Sequence, residues 1–501
     1  MKFASIMLLI IFLASCDSLD DDFLNLSTAT LEGETGIIAY MPEVDIPVTD
    51  AVTVPAGGVG LTYDQIYNTT LQQILYDFDY LIKTMEYAFP YFGVVERRLG
   101  VDLRKLSVEI RDQIKNYPYS MMDFANEIGL PIEEIPELDE FVFWSILNRD
   151  FFGPIAPFAH LNVISFFWGD LSTTGSNRNT IDMSFFRNQE TLFHELIPYN
   201  LELIEFYFNF EPTTSLEIIE NLEQTTSGII RAFDNEPVLN TKIIEEGRIA
   251  YMELGNFMID PRGFAQSLFD FYETIKDYKY LIIDMRYSGG GNAHTGPILV
   301  MYPLFYGNVE DGYMYAFFTS YDQARYLRNM IRLRQTLRVV GHSILSTYEL
   351  LETNYLPHFN RSDASYLPYA VKVNININNI TRGNINLLSN AWGFDIPRIP
   401  FSGEIFLLTS RLNYSASANF AVIAKETGFA TLVGEQVLGG LTATSPYYFS
   451  LPNTGIVVSW DRDYLTDRYG RAYLEYLPNP HYFNMPGKDA LETAIYIINS
   501  R

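Results

Sequence analysis

Leu71, Ile74, Phe78, Leu81 and Met85 recur at intervals of three or four residues. That spacing puts them on one face of an α-helix and predicts an amphipathic helix over 63–88 that stops before Pro90. Helical spacing continues through Leu147, so 63–165 reads as a helical N-terminal region. The pattern then changes. Segments 247–254 and 280–284 are short and mostly apolar, while Phe264, Leu268, Phe271 and Ile275 between them keep helical spacing. Strand, helix, strand predicts a β-α-β unit on a mainly parallel or mixed sheet. A third apolar run, 404–408, leads through Leu412-Asn413-Tyr414 to Ser415 and on to Ala421-Val422-Ile423-Ala424, again strand, tight turn and helix. The expected fold class is α/β with α+β character: helices first, then a core built on a mixed sheet.

Two stretches are less regular. Residues 166–241 form a mixed connecting segment with a helical pattern at 215–232. Residues 303–400 are longer than a simple crossover needs. They hold a helical pattern with Tyr326, Met330, Leu333 and Leu337 on one face and Arg325, Arg328 and Arg332 on the other, then the alternating strand Val371, Val373, Ile375, Ile377. This stretch reads as a lid insertion. The arginine row is a solvated face paired with local acids, or a site for a carboxylate.

At 501 residues, 48% of them hydrophobic and 15% aromatic, the chain exceeds one ordinary core and implies two or three units. Its net charge of −27 repels nucleic acid and anionic lipid, which excludes nucleic-acid partners. At the N-terminus, Lys2, the apolar run 6–13 and Leu13-Ala14-Ser15-Cys16 have the layout of a secretory signal, with an apolar stretch too short to span a bilayer. Cys16 is the single cysteine, and its setting resembles a bacterial lipobox. Residues 1–15 are thus expected to be a signal peptide and Cys16 the lipidation site, with 16–62 an acidic tether. The expected location is the cell envelope, lipid-anchored to a membrane, at the outer membrane, facing the periplasm or at the cell surface. The six histidines form no paired metal-ligand spacing, and the glycine triplet lacks the Gly-Lys-Ser/Thr of a phosphate loop. No cofactor or metal is expected.

Ser415 falls at a predicted helix N-terminus, where backbone N–H groups and the positive end of the helix dipole face any oxyanion formed beside it. Alone, such a serine is an N-cap. A second element changes that reading: 280–292 is a buried strand ending in Ser288-Gly289-Gly290-Gly291, a turn able to present a bare backbone N–H to a substrate carbonyl. Together with Gly247 to Leu254, Thr431-Leu432-Val433-Gly434-Glu435 and Pro480 to Phe483, the Asp284-x-Arg286-x-x-Gly289-Gly290-Gly291 turn and Tyr414-Ser415-Ala416-Ser417 resemble the S41 peptidases. That family comprises tail-specific (C-terminal) processing proteases and the tricorn core protease, and the resemblance runs from about 242 to the C-terminus.

The resemblance implies a ClpP/crotonase-like core over 242–501 with an insertion at about 303–400, preceded by the helical region. Phe158-Ala159-His160-Leu161-Asn162-Val163 resembles the Gly-His-x-x-Val stretch with which that region ends in the family. No carboxylate-binding loop of a PDZ module is evident in 166–241. The implied activity is serine-type endopeptidase action on a peptide or protein substrate, with Ser415 as nucleophile and the N–H groups of Gly290 and Ala416 as oxyanion hole. The chain departs from the family at the base. The lysine of processing proteases, 25 residues after the nucleophile, is replaced by Gly440, and the tricorn-like histidine is absent from 250–254. A neutral imidazole suits proton abstraction at neutral pH, which makes His294, three residues past the glycine triplet, the first candidate, beside His160 and His481. Glu475, placed where the tricorn-like branch keeps a supporting acid, is the next. A peptide-binding pseudo-peptidase that retains the cleft, and an envelope module for another ligand such as glycan, are the competing readings.

Overall fold

The structure is a computed structural model. It describes residues 70–121, 138–155, 158–163, 239–443 and 446–501, except 256, 258–260, 292, 294, 307–311, 326, 328–337, 376–384, 386–388 and 390–392. They form two compact units, one of 70–163 with 446–460, the other of 239–443 with 461–501.

The first unit begins with α1 (Leu71–Ala88). Thr70 caps it: its hydroxyl accepts the Gln73 N–H at 3.3 Å, and the Gln73 side chain accepts the Thr70 N–H at 2.8 Å. This reciprocal pair satisfies two donors that the first helical turn leaves open. Ile74, Phe78, Leu81 and Met85 are buried as their spacing requires, while Leu71 in the first turn stays exposed. Residues 63–69 of the predicted helix lie outside the described residues. Helices α2 (Phe92–Leu99), α3 (Leu103–Lys115) and α4 (Glu140–Ile146) follow. Strands β1 (Asn162–Val163), β10 (Tyr447–Ser450) and β11 (Val457–Trp460) make an antiparallel sheet in the order β1-β11-β10. Asp77 shares the buried face of α1 and is fully enclosed. Its carboxylate accepts the Asn453 N–H (3.0 Å) and Nδ2 (2.9 Å) and the Thr454 N–H and hydroxyl (both 2.7 Å).

The second unit holds a six-stranded mixed sheet in the order β13-β9-β8-β4-β3-β2. Strands β3 (Ile249–Leu254), β4 (Tyr280–Asp284), β8 (Glu404–Thr409), β9 (Thr431–Gly434) and β13 (Tyr482–Phe483) run parallel, and β2 (Leu239–Glu245) pairs antiparallel with β3 at the edge. The crossovers are helical: α5 (Ala265–Ile275) between β3 and β4, and α6 (Ser415–Glu426) between β8 and β9. The C-terminal helix α7 (Ala490–Asn499) buries Ala490, Ala494 and Ile498 against Tyr251, Ile282, Phe406, Leu408 and Val433, alternate positions on one face of the sheet. Leu281, Ile283 and Leu407 on the other face are buried too, which explains why these strands read as apolar runs instead of alternating.

Part of the long insertion forms a second, antiparallel sheet in the order β12-β5-β7-β6, from β5 (Gly312–Phe318), β6 (Arg338–Ser346), β7 (Tyr369–Ile375) and β12 (Tyr464–Thr466). The predicted strand over Val371, Val373 and Ile375 is β7, and Ile377 lies outside the described residues. Of the arginine row, Arg325 pairs with Asp322 at 3.5 Å, and Arg328 and Arg332 lie outside the described residues. No helix among the described residues is long and apolar enough to cross a membrane.

Candidate active site

Strands β4 and β8 pair in parallel with Asp284 opposite Leu408, so their C-terminal ends are level and the turns 285–291 and 410–415 leave the same edge of the sheet. Open α/β sheets place their ligands at such an edge. Gly290 there has φ +120°, and a methyl group built on it would lie 2.7 Å from the Tyr414 carbonyl oxygen, 3.0 Å from Ser415 Cβ and 3.3 Å from the Ala416 nitrogen. Only a residue without Cβ permits this approach.

Ser415 opens α6 with φ +51°, a left-handed conformation that costs a serine free energy and occurs at functional turns. Its N–H donates to the Gly439 carbonyl at 3.0 Å, and the residue is partly exposed. Beside it the N–H of Ala416 belongs to the first helical turn, whose amides have no partner within the helix. A carbonyl placed against Ser415 would thus meet a hydroxyl, a helix N-terminus and a glycine backbone.

The two turns are bound to each other by buried side chains. Asn413 Nδ2 donates to the Met285 carbonyl (2.5 Å) and the Ser288 carbonyl (3.1 Å), and its Oδ1 accepts the Ser410 N–H (2.8 Å). Ser417 Oγ accepts the Tyr414 N–H (3.1 Å) and lies 2.8 Å from the Ser288 carbonyl. The Ser410 hydroxyl donates to the Arg286 carbonyl. On the far side, the Phe257 N–H donates to the Gly290 carbonyl at 2.9 Å.

Below the Gly-rich turn, Asp284 is fully buried. It accepts the Arg286 side chain (2.9 and 2.7 Å) and the Tyr251 hydroxyl (2.9 Å), and Arg286 reaches on to Asp489 at the start of α7 (2.9 Å). Burial alone would lower the Arg286 pKa, but the Asp284 and Asp489 carboxylates outweigh it and raise it. Burial, then the neighbouring Asp284 charge, raises the Tyr251 phenol. This network holds the root of the turn as an ion pair with few free donors, the arrangement a buried carboxylate requires.

Position 440 is occupied by a glycine at φ +67°, and any Cβ there would come within 2.6–2.8 Å of the Tyr414 ring. Tyr414 is itself buried, so the aromatic ring fills the direction that a side chain at 440 would take.

Ser415, Gly290 and Ala416 lie together. Glu475, partly exposed in the turn 472–476, is close in the chain to Leu474 and Leu477, which are the side chains nearest Gly439, the residue whose carbonyl holds the Ser415 N–H. His481 is tied to β9: its Nδ1 accepts the Leu432 N–H at 2.9 Å and its own N–H donates to the Leu432 carbonyl at 2.9 Å. Burial, then the Lys425 charge, lowers its pKa. With Nδ1 engaged as acceptor, the neutral ring presents Nε2–H, a donor. His160 belongs to the first unit, at φ +51° as the last residue of the short turn Phe158–His160, and its carbonyl accepts the Ser459 hydroxyl at 3.0 Å. His294 and Cys16 lie outside the described residues. No group of three or more His, Cys, Asp or Glu able to hold a metal occurs among the described residues. Sequence reasoning missed Asn413, Ser410 and Ser417, although all three flank the nucleophile turn, and it used Asp284 and Arg286 only to mark the glycines.

A serine with a left-handed backbone at a helix N-terminus thus packs against a glycine turn at one edge of a mixed α/β sheet. Residues 248–472 match the sequence profile of peptidase family S41. No curated protein matches the chain. Among solved structures, mature CPAF in complex with lactacystin is 14% identical, with 86% of this chain and 97% of that one covered at a TM-score of 0.44. A peptidase candidate from Parabacteroides merdae is 15% identical, with 85% and 96% covered at 0.41. The photosystem II D1 C-terminal processing protease is 14% identical, with 50% and 49% covered at 0.28.

Proposed function

We propose that this chain is a serine-type endopeptidase of the cell envelope, anchored by lipid on Cys16 and acting on peptide or protein substrates. The observation that carries the reading is the packing of Gly290 against Ser415 and Ala416, which no structural requirement of a parallel sheet calls for. The Ser415 Oγ attacks the scissile carbonyl while its proton passes to an imidazole. The oxyanion is held by the N–H groups of Gly290 and Ala416, each such donor typically contributing about 2.7–4 kcal/mol to transition-state stabilisation. Collapse of the tetrahedral adduct expels the amine, which takes the proton, and water then releases the acyl group from Ser415.

The base in this reading is His294, from its place three residues past the glycine triplet; the Nδ1 lone pair of His481 is already held by the Leu432 N–H. Glu475 is the carboxylate next in line. The test is peptide hydrolysis by the purified protein and by Ser415→Ala, His160→Ala, His294→Ala and Glu475→Ala. Loss in Ser415→Ala and in His294→Ala supports the reading. Loss in Ser415→Ala with both histidine variants active moves the base to Glu475. The anchor is tested separately: Cys16→Ala releases the protein into the soluble fraction, and membrane retention of that variant contradicts it.

One observation favours a second reading, a peptide-binding protein without turnover. The lysine position of the processing proteases holds Gly440, covered by the Tyr414 ring. Peptide binding without cleavage, unchanged in Ser415→Ala, is what that reading expects.

A further inference from the structure

The hydrogen bonds around Asn413 do more than close a turn. Asn413 is fully buried, and its amide spends both faces on backbone: two donor contacts to the Met285 and Ser288 carbonyls and one acceptance from the Ser410 N–H. Its own carbonyl accepts the Leu438 N–H at 2.7 Å, next to Gly439, which holds the Ser415 N–H. One side chain and its backbone therefore join three segments: the Gly-rich turn, the nucleophile turn and the 438–440 loop.

Peptide planes convert these contacts into aim. A carbonyl and the following N–H lie in one plane, so fixing the Ser288 carbonyl with Asn413 and Ser417 fixes the Gly289 N–H. Fixing the Gly290 carbonyl with the Phe257 N–H likewise fixes the Gly291 N–H. The plane between them carries the Gly290 N–H. It is held at both ends, and its direction follows from the φ of +120° at Gly290.

We propose that Asn413, assisted by Ser417, is a positioning residue that registers the Gly-rich turn against the nucleophile turn and so aims the Gly290 N–H at a carbonyl held by Ser415. The proposal rests on the peptidase reading for its catalytic consequence, but the registration itself is a property of the folded chain. Asparagine is the side chain that serves both partners. Aspartate would set a carboxylate against two carbonyl oxygens with no proton to share. Leucine of similar size would take the Asn413 donor from both carbonyls, leaving the Met285 carbonyl with the Ser288 N–H and the Ser288 carbonyl with the Ser417 hydroxyl, and would leave the Ser410 N–H without its acceptor.

The test uses the full protein and the variants Asn413→Leu, Asn413→Asp and Ser417→Ala. Two quantities are read: amide hydrogen exchange of 285–291 with that of β8 as internal control, and kcat and KM on a peptide. The expected result is exchange in 285–291 faster by about tenfold or more with β8 unchanged. Alongside it, kcat falls by about 100-fold at nearly constant KM, the effect of a donor displaced by about 1 Å. Ser417→Ala is the milder arm should Asn413→Leu fail to fold. Unchanged exchange in 285–291, or faster exchange with kcat intact, overturns the proposal. A wild-type protein that cleaves no peptide but shows the exchange difference removes the peptidase reading and leaves the registration standing.

Discussion

Gly290 and Ser415 are separated by 125 residues of sequence, yet a methyl group on the glycine would lie 3.0 Å from the Cβ of the serine. The level C-terminal ends of β4 and β8 produce this approach, and a positive φ at each residue completes it.

Gly290→Ala is therefore expected to damage the site more than the fold. The new methyl meets the Tyr414 carbonyl at 2.7 Å, and φ +120° is a region that L side chains rarely adopt. The backbone strain is about 1–3 kcal/mol, and relieving it turns the N–H away. Peptide hydrolysis should fall by about 10²–10³-fold while the unfolding transition stays cooperative. Wild-type kcat in this variant contradicts the placement of the oxyanion donor.

Asp77 makes the stability of the first unit depend on pH, with protonation favouring the folded state. Burial outweighs the four bonds from Asn453 and Thr454 and raises its carboxyl from 3.8 to about 6. The folded state thus binds the proton more tightly than the unfolded chain. The stability this group contributes is full below 3.8 and is lost as pH rises through about 6. The difference in melting temperature between wild type and Asp77→Asn should change in favour of the wild type as pH falls from neutral to about 5. A difference that stays flat over that window contradicts the assignment.

Restoring a lysine at 440 should not restore a lysine base. Gly440 is in the left-handed region, and its Cβ direction is blocked by the Tyr414 ring at 2.6 Å. Gly440→Lys is expected to destabilise the second unit by about 1–3 kcal/mol and to lower any peptide hydrolysis, measured by denaturant unfolding and by initial rates. A rate above wild type would show that the position still accepts a base.

The strands of the core and the two motifs were legible because parallel strands buried on both faces leave continuous apolar runs, and because a glycine triplet closing one run and a serine before a helix closing another point to the same chemistry only when read together. Leu281, Ile283, Phe406 and Leu408 are of this kind. The pairing of the insertion with β12 was not legible, since Tyr464-Leu465-Thr466 is too short to signal a strand and its partner Ala316 is about 150 residues away. Nor was the grouping of 446–460 with the N-terminal helices, because the bonds from Asn453 and Thr454 to Asp77 join positions with no shared periodicity. Within the site, Asn413 looked like an ordinary turn residue. Its function rests on two carbonyls of a distant turn, and carbonyls leave no mark on a sequence.

Whether Ser415 is an activated nucleophile is read by mass spectrometry of the protein after exposure to a fluorophosphonate probe, which reacts at useful rates only with an activated serine. A single covalent adduct is expected on the peptide containing Ser415, abolished in Ser415→Ala and slowed in Gly290→Ala, if Ser415 is so activated. A folded wild-type protein that takes up no probe, or takes it up elsewhere with Ser415 unmodified, contradicts the proposed activation.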